Sequence, residues 1–189
     1  MKTLLLLLLT LFIVSVAKAQ YSAQFNKYVN KGYKILDISK GDLNRDQYKN
    51  DVILILADIN EDKENYYELD LKNRIVKILL QQATGYQLAA ENKTCMLGKG
   101  DGGIKGDPYN GIAIKNGYFT LQYLGGSRDV WENYITFKYD GYRHWYLHKS
   151  TSIAYDSFAP NKVTARTDHT SKDFGKVLFE KFDPENKSY

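Results

Sequence analysis

Short apolar runs separated by turn residues recur along most of the chain, and this spacing predicts strands rather than helices. Tyr33–Ser39 alternates, with Ile35, Asp37 and Ser39 on one side and Leu36 and Ile38 on the other. Val52–Ala57 is a continuous apolar run, which predicts a central strand buried on both faces. Ile75–Leu80 and Tyr86–Ala90 flank Thr84-Gly85 as a hairpin. Ile112–Lys115 and Tyr118–Leu124 flank Asn116-Gly117, a pair suited to a type I′ turn. The same reasoning places a tight turn at Asp140-Gly141, between strands Tyr134–Tyr139 and Tyr142–Lys149. Lys176–Phe182 reads as a late strand closing the sheet, and Ala23–Asn30 as one short N-terminal helix. Alternation puts Phe119, Leu121 and Tyr123 on one face, and likewise Ile135, Phe137 and Tyr139. Trp145 and Leu147 share a face, opposite His144, Tyr146 and His148. The expected fold is all-β and mainly antiparallel: a compact single-domain meander or sandwich, with propeller-like hairpins and an aromatic core.

The start of the chain changes the picture of charge and compartment. Lys2, the apolar stretch Leu4–Ala17 and Ala17-Lys18-Ala19 form the pattern of a secretory signal, residues 1–19, with one β-rich domain over 20–189. The expected location is periplasmic or secreted. Without Lys2 and Lys18 the count is 24 basic against 22 acidic residues, so the formal charge falls from +4 to +2. That balance argues against a nucleic-acid partner. No later stretch approaches the ~18 apolar residues of a membrane span. Cys95 is the single cysteine, so no internal disulfide forms, and it reads as a buried inert thiol.

The most informative polar segment is Gly41–Asp51. Oxygen-bearing side chains fall at Asp42, Asn44 and Asp46, and the Tyr48 carbonyl with Asn50 or Asp51 would complete a loop around a hard cation such as Ca²⁺. The twelfth position from Asp42 is Ile53, so the closing Glu of an EF-hand is missing. Gln47 stands where glycine often supplies a left-handed turn. The same segment also reads as a solvated Asx-turn between strands. A second acidic run, Asp58–Glu64, reads as a charged surface loop.

Two glycine-rich loops are candidate binding edges. Gly98–Gly111 contains Asp101, Asp107 and Tyr109; Gly125–Trp131 presents Arg128 and Trp131. Gly98–Gly103 spells GxGxxG without the strand–loop–helix surroundings of a dinucleotide site. His144 and His148 lie about 13 Å apart along a strand, too far to share a metal. Asp173-Phe174-Gly175 matches a kinase motif in spelling alone. Asn92-Lys93-Thr94 and Asn186-Lys187-Ser188 match the glycosylation acceptor pattern.

Gly32–Asp37 leading into Gly41–Asp46 resembles the FG-GAP/VCBS type of repeat, found in integrin-alpha-like β-propellers. The resemblance implies Ca²⁺ bound through Asp42, Asn44 and Asp46. Downstream, Gly106-Asp107-Pro108, Gly111–Phe119, Tyr123–Ser127, Ile135–Tyr139, Trp145–Leu147 and Lys172–Lys176 are similar to small exported bacterial proteins of unassigned function. The expected function is that of an exported, non-enzymatic protein, Ca²⁺-stabilised through the acidic loop, binding a protein or glycan partner. The alternatives are an exported hydrolase or lyase using carboxylates of the Gly98–Gly111 loop, and an inhibitor or immunity-type partner of another exported protein.

Overall fold

The computed structural model describes residues 23–186. The signal segment 1–19 lies outside the described residues. β1 (Tyr33–Gly41), β2 (Asp51–Asp58), β3 (Ile75–Gln82) and β4 (Gly85–Asn92) form a four-stranded sheet in that order. β5 (Tyr109–Lys115), β6 (Tyr118–Gly126), β7 (Asp129–Tyr139), β8 (Trp145–Asp156) and β9 (Val163–Thr170) form a five-stranded sheet, also in chain order. Every neighbouring pair is antiparallel. Two meanders facing each other make a single all-β sandwich.

The shared core takes one face of each sheet. Ile53, Ile55, Val76, Ile78 and Leu80 of the first sheet meet Phe119, Leu121, Tyr123, Ile135, Phe137, Trp145 and Leu147 of the second. Phe119 and Phe137 stack at 4.9 Å, and Phe179 lies edge-on to both. Val52, Leu54 and Leu56 point the other way, into a second cluster covered by Phe25, Tyr28 and Val29. Every β2 residue is therefore buried, which is why its sequence is apolar without alternation.

Asn116 and Gly117 both have positive φ (50° and 77°), as the type I′ turn requires. Four other expectations are corrected. A register shift between Ile35 and Asp37 puts a bulge in β1, so Ile35 and Ile38 face the outer cluster together while Leu36 faces the core. The β7–β8 connection spans residues 140–144 rather than a two-residue turn, with Tyr139 opposite Trp145. Asp140 Oδ1 accepts the backbone N–H of Tyr142 (2.7 Å) and of His144 (3.2 Å), which stabilises the wider loop. Ala23–Asn30 contains a 3₁₀ turn at Asn26–Tyr28 in place of the N-terminal helix.

The expected late strand is replaced by one bridge, Tyr146 to Leu178, and a 3₁₀ turn at Phe179–Lys181. The spacing explains this: Phe179 and Phe182 both enter the core, and three residues is the 3₁₀ repeat, not the strand's two. The ninth strand is instead Val163–Thr170, exposed on both faces and paired in the sheet with β8. Asn92 ties this end together. Its side chain donates to the Phe179 and Phe182 carbonyls and accepts Thr94 and Cys95 N–H, which leaves no room for a glycan there.

Candidate functional site

The acidic loop between β1 and β2 is closed by the protein's own donors. Leu43 is fully buried; its N–H donates to Asp51 Oδ2 (2.9 Å) and its carbonyl accepts the Trp145 indole N–H (3.0 Å). Asp51 Oδ1 accepts Gln81 N–H (2.9 Å), so this carboxylate faces inward. Burial pushes Asp51 above the usual carboxylate range, with Asp46 and Asp42 adding to it. Asp42 accepts Arg45 N–H (2.7 Å) and the Lys49 ammonium (2.8 Å), and Lys49 also donates to the Asp46 carbonyl. Partial burial works against ionisation of Asp42, but Lys49 and Arg45 N–H outweigh it and hold the carboxyl below its ordinary value.

The other residues of the expected calcium set also form hydrogen bonds within the protein. Asn44 donates to Asp46 Oδ2 (2.7 Å) and accepts Asp46 N–H (3.1 Å), Asp46 Oδ1 accepts Tyr48 N–H (2.6 Å), and the Asn50 carbonyl accepts the Tyr86 hydroxyl (3.0 Å). The left-handed residue is Arg45 (φ 62°), not Gln47. In this arrangement Asp51 points into the core, and the Lys49 ammonium joins Asp42 to the Asp46 carbonyl. Among the described residues no three acidic, His or Cys groups converge for a metal.

The second acidic run is a turn exposed at Ile59 and Asp62–Glu64, but its Asp58 and Glu61 are buried. Asp58 accepts Asn60 N–H (2.8 Å) and Lys72 N–H (3.2 Å). Glu61 shares the buried guanidinium of Arg74 with Asp107: Arg74 reaches Glu61 at 2.8 Å and Asp107 at 2.6 and 2.8 Å. The two carboxylates outweigh desolvation and hold Arg74 firmly charged. Asp107 thus clamps the glycine loop to the start of β3 rather than lining a binding edge.

Tyr109 is half-buried and donates to Asp37 Oδ2 (2.5 Å). Asp101 accepts its own loop's Gly98 N–H (2.6 Å), so the loop's two carboxylates serve separate local bonds. Arg128 pairs with Asp156 at 3.2 Å on the surface. Trp131 packs on the core side of β7, directly opposite Gly125, where even a methyl group would strike its ring at 2.1 Å. Asp107 Oδ1 accepts Tyr109 N–H (3.0 Å), but Arg128 and Trp131 do not join them in one site.

A different set of residues converges on the outer face of the second sheet. Tyr118 of β6, Lys138 of β7 and Tyr146 of β8 stand directly opposite one another. Core-facing Phe119, Phe137, Trp145 and Leu147 fix this row by sending their neighbours outward. The Arg45 guanidinium lies 5.6 Å and the Lys138 ammonium 5.5 Å from the Tyr118 ring, and Lys176 lies 4.0 Å from the Tyr146 ring. Arg45 is aimed there because its Nε donates to the Asn116 carbonyl (2.7 Å) at the β5–β6 turn. Lys176 is placed by α1 (Ser171–Phe174), where Asp173 caps the helix start and Gly175 (φ 71°) ends it. The kinase-like spelling is thus a helix cap.

Arg45, Lys138, Tyr146 and Lys176 line an open groove of about 930 Å³, with Asn44, Asp140, His148 and Ser171 also in its wall. Burial and the ammoniums of Lys138 and Lys149 hold the His148 imidazole below its ordinary value. Arg45, Lys138 and Lys176 have no ion-pair partner among the described residues. Asp140 is the groove's carboxylate, and its Oδ1 is committed to two N–H groups of its own loop. The arrangement can hold negative charge in a partly desolvated setting. Sequence reasoning saw Tyr146 and His148 as outward-facing but missed Arg45, Lys138 and Lys176, which are far apart in the chain. Comparison with protein-family models, with curated proteins and with solved structures gives no match in any of the three.

Proposed function

We propose that this chain is an exported, non-enzymatic binding protein whose ligand face is the groove over β6–β8, and that its partner is anionic there. The observation that carries this reading is the set of three cations, Arg45, Lys138 and Lys176, placed over tyrosine rings with no ion-pair partner among the described residues, against the single groove carboxylate of Asp140. Like charges gathered in one groove raise the local potential and favour an incoming anion. A non-enzymatic role is supported by the separate engagement of Asp101 and Asp107, since acid–base chemistry needs a convergent pair. The acidic loop is a stabilising element in this reading, with Lys49 as its cation.

Titration with inorganic polyphosphate, followed by NMR, tests the reading. Resonances of His148 and of residues 138–148 and 171–176 should shift together, and less so as salt is added. No perturbation, or one confined to the Gly98–Gly111 loop, would defeat it.

A further inference from the structure

We infer that the groove takes a carboxylated polysaccharide, a polyuronate chain; this rests on the reading above that the groove binds an anion. The groove is open to solvent, and about 930 Å³ is at the upper end of sites built for one small molecule. Its cations are also distributed. Arg45 and Lys138 stand over Tyr118, and Lys176 over Tyr146, two strands further across the sheet. At ~4.8 Å between strands the set extends over about 10 Å, which suits a chain with repeated charge better than a single anion.

The chemistry between the cations separates a sugar acid from a nucleic acid. Single-stranded nucleic acids are held largely by bases stacking on free aromatic faces. Here the Tyr118 and Tyr146 rings already carry cations, and His148 meets Tyr118 edge-on at 5.3 Å, so the rings serve to position charge. The Ser171 and Tyr146 hydroxyls line the groove without a protein hydrogen-bond partner among the described residues, and suit a polymer rich in hydroxyl groups. Arg45 keeps both terminal guanidinium nitrogens beyond its Nε bond to Asn116, an edge that matches a carboxylate.

Calorimetry with polygalacturonate, dextran and oligothymidylate decides the matter, using the purified protein and its Lys138→Gln/Lys176→Gln and Lys138→Arg/Lys176→Arg variants. Polygalacturonate should bind, dextran should not, and the Gln variant should lose roughly tenfold or more in affinity while the Arg variant keeps most of it. Matching circular-dichroism melts would show that the Gln variant is folded. Tighter binding of oligothymidylate than of polygalacturonate, lost in the Gln variant, would overturn the polyuronate while leaving an anion groove. Equal binding of dextran, or polygalacturonate binding untouched by the Gln change, would also overturn it. Failure of every polyanion, polyphosphate included, would remove both the inference and the reading beneath it.

Discussion

The acidic segments of residues 42–64 and the groove over β6–β8 treat charge in opposite ways. In the first region nearly every carboxylate is matched inside the protein: Asp51 by backbone N–H groups, Asp42 by Lys49, Glu61 by buried Arg74. In the second, three cations rest on aromatic rings with no carboxylate partner among the described residues. A dense run of acids in sequence thus became a set of internal ties, while isolated basic residues became the surface with unspent charge. The difference shows that local charge density in a sequence says little about net local charge in the fold. What matters is which donors the chain brings back to each carboxylate.

The comparison can be broken at its internal ties first. Arg74→Met leaves Glu61 buried without its cation and frees the glycine loop, so denaturant unfolding should show a loss of about 3–5 kcal/mol. Asp51→Ala strands the N–H groups of Leu43 and Gln81, for an expected loss of about 2–3 kcal/mol by the same measurement. Lys49→Met should cost less, about 0.5–1 kcal/mol, because Lys49 is largely exposed and solvent weakens the pair. Melting of the unsubstituted protein should be the same in Ca²⁺ and in chelator. A higher melting temperature in Ca²⁺ would show that the loop releases Lys49 for the metal. Removing Lys176 from the groove by Lys176→Gln should change stability by no more than about 0.5 kcal/mol, since no carboxylate loses a partner. A large loss there would mean that the groove is another internal tie.

The smallest effect concerns pH. The folded protein holds His148 below its ordinary value of 6.5, so the unfolded chain binds a proton more readily. The corresponding stability is present above about 6.5 and is lost as pH falls through the depressed folded value. An anion in the groove should raise the His148 value, which NMR titration of its ring protons with and without polyphosphate would register. An unmoved midpoint would mean that the anion sits away from Lys138 and Lys149.

Most strand positions were legible because β2, β3 and β5–β8 carry apolar residues at the spacing their burial demands, whereas the order of the strands was not. The Asn116-Gly117 turn was legible because it needs two residues that accept positive φ. β9 was not legible: with both faces exposed, Val163–Thr170 has no reason to alternate, and its place depends only on the ladder that β8 offers. The bulge in β1 was likewise hidden, since one extra residue reverses the faces without altering composition.

By itself, then, the sequence determined the all-β class, the apolar faces and the aromatic core, because these follow from local periodicity. Only the tertiary structure decided what the charges do. Arg45, Lys138 and Lys176 meet through a loop, a strand and a helix end brought together from distant parts of the chain. Asp51 is held by the N–H of Gln81, thirty residues on in β3, an approach that no local pattern records.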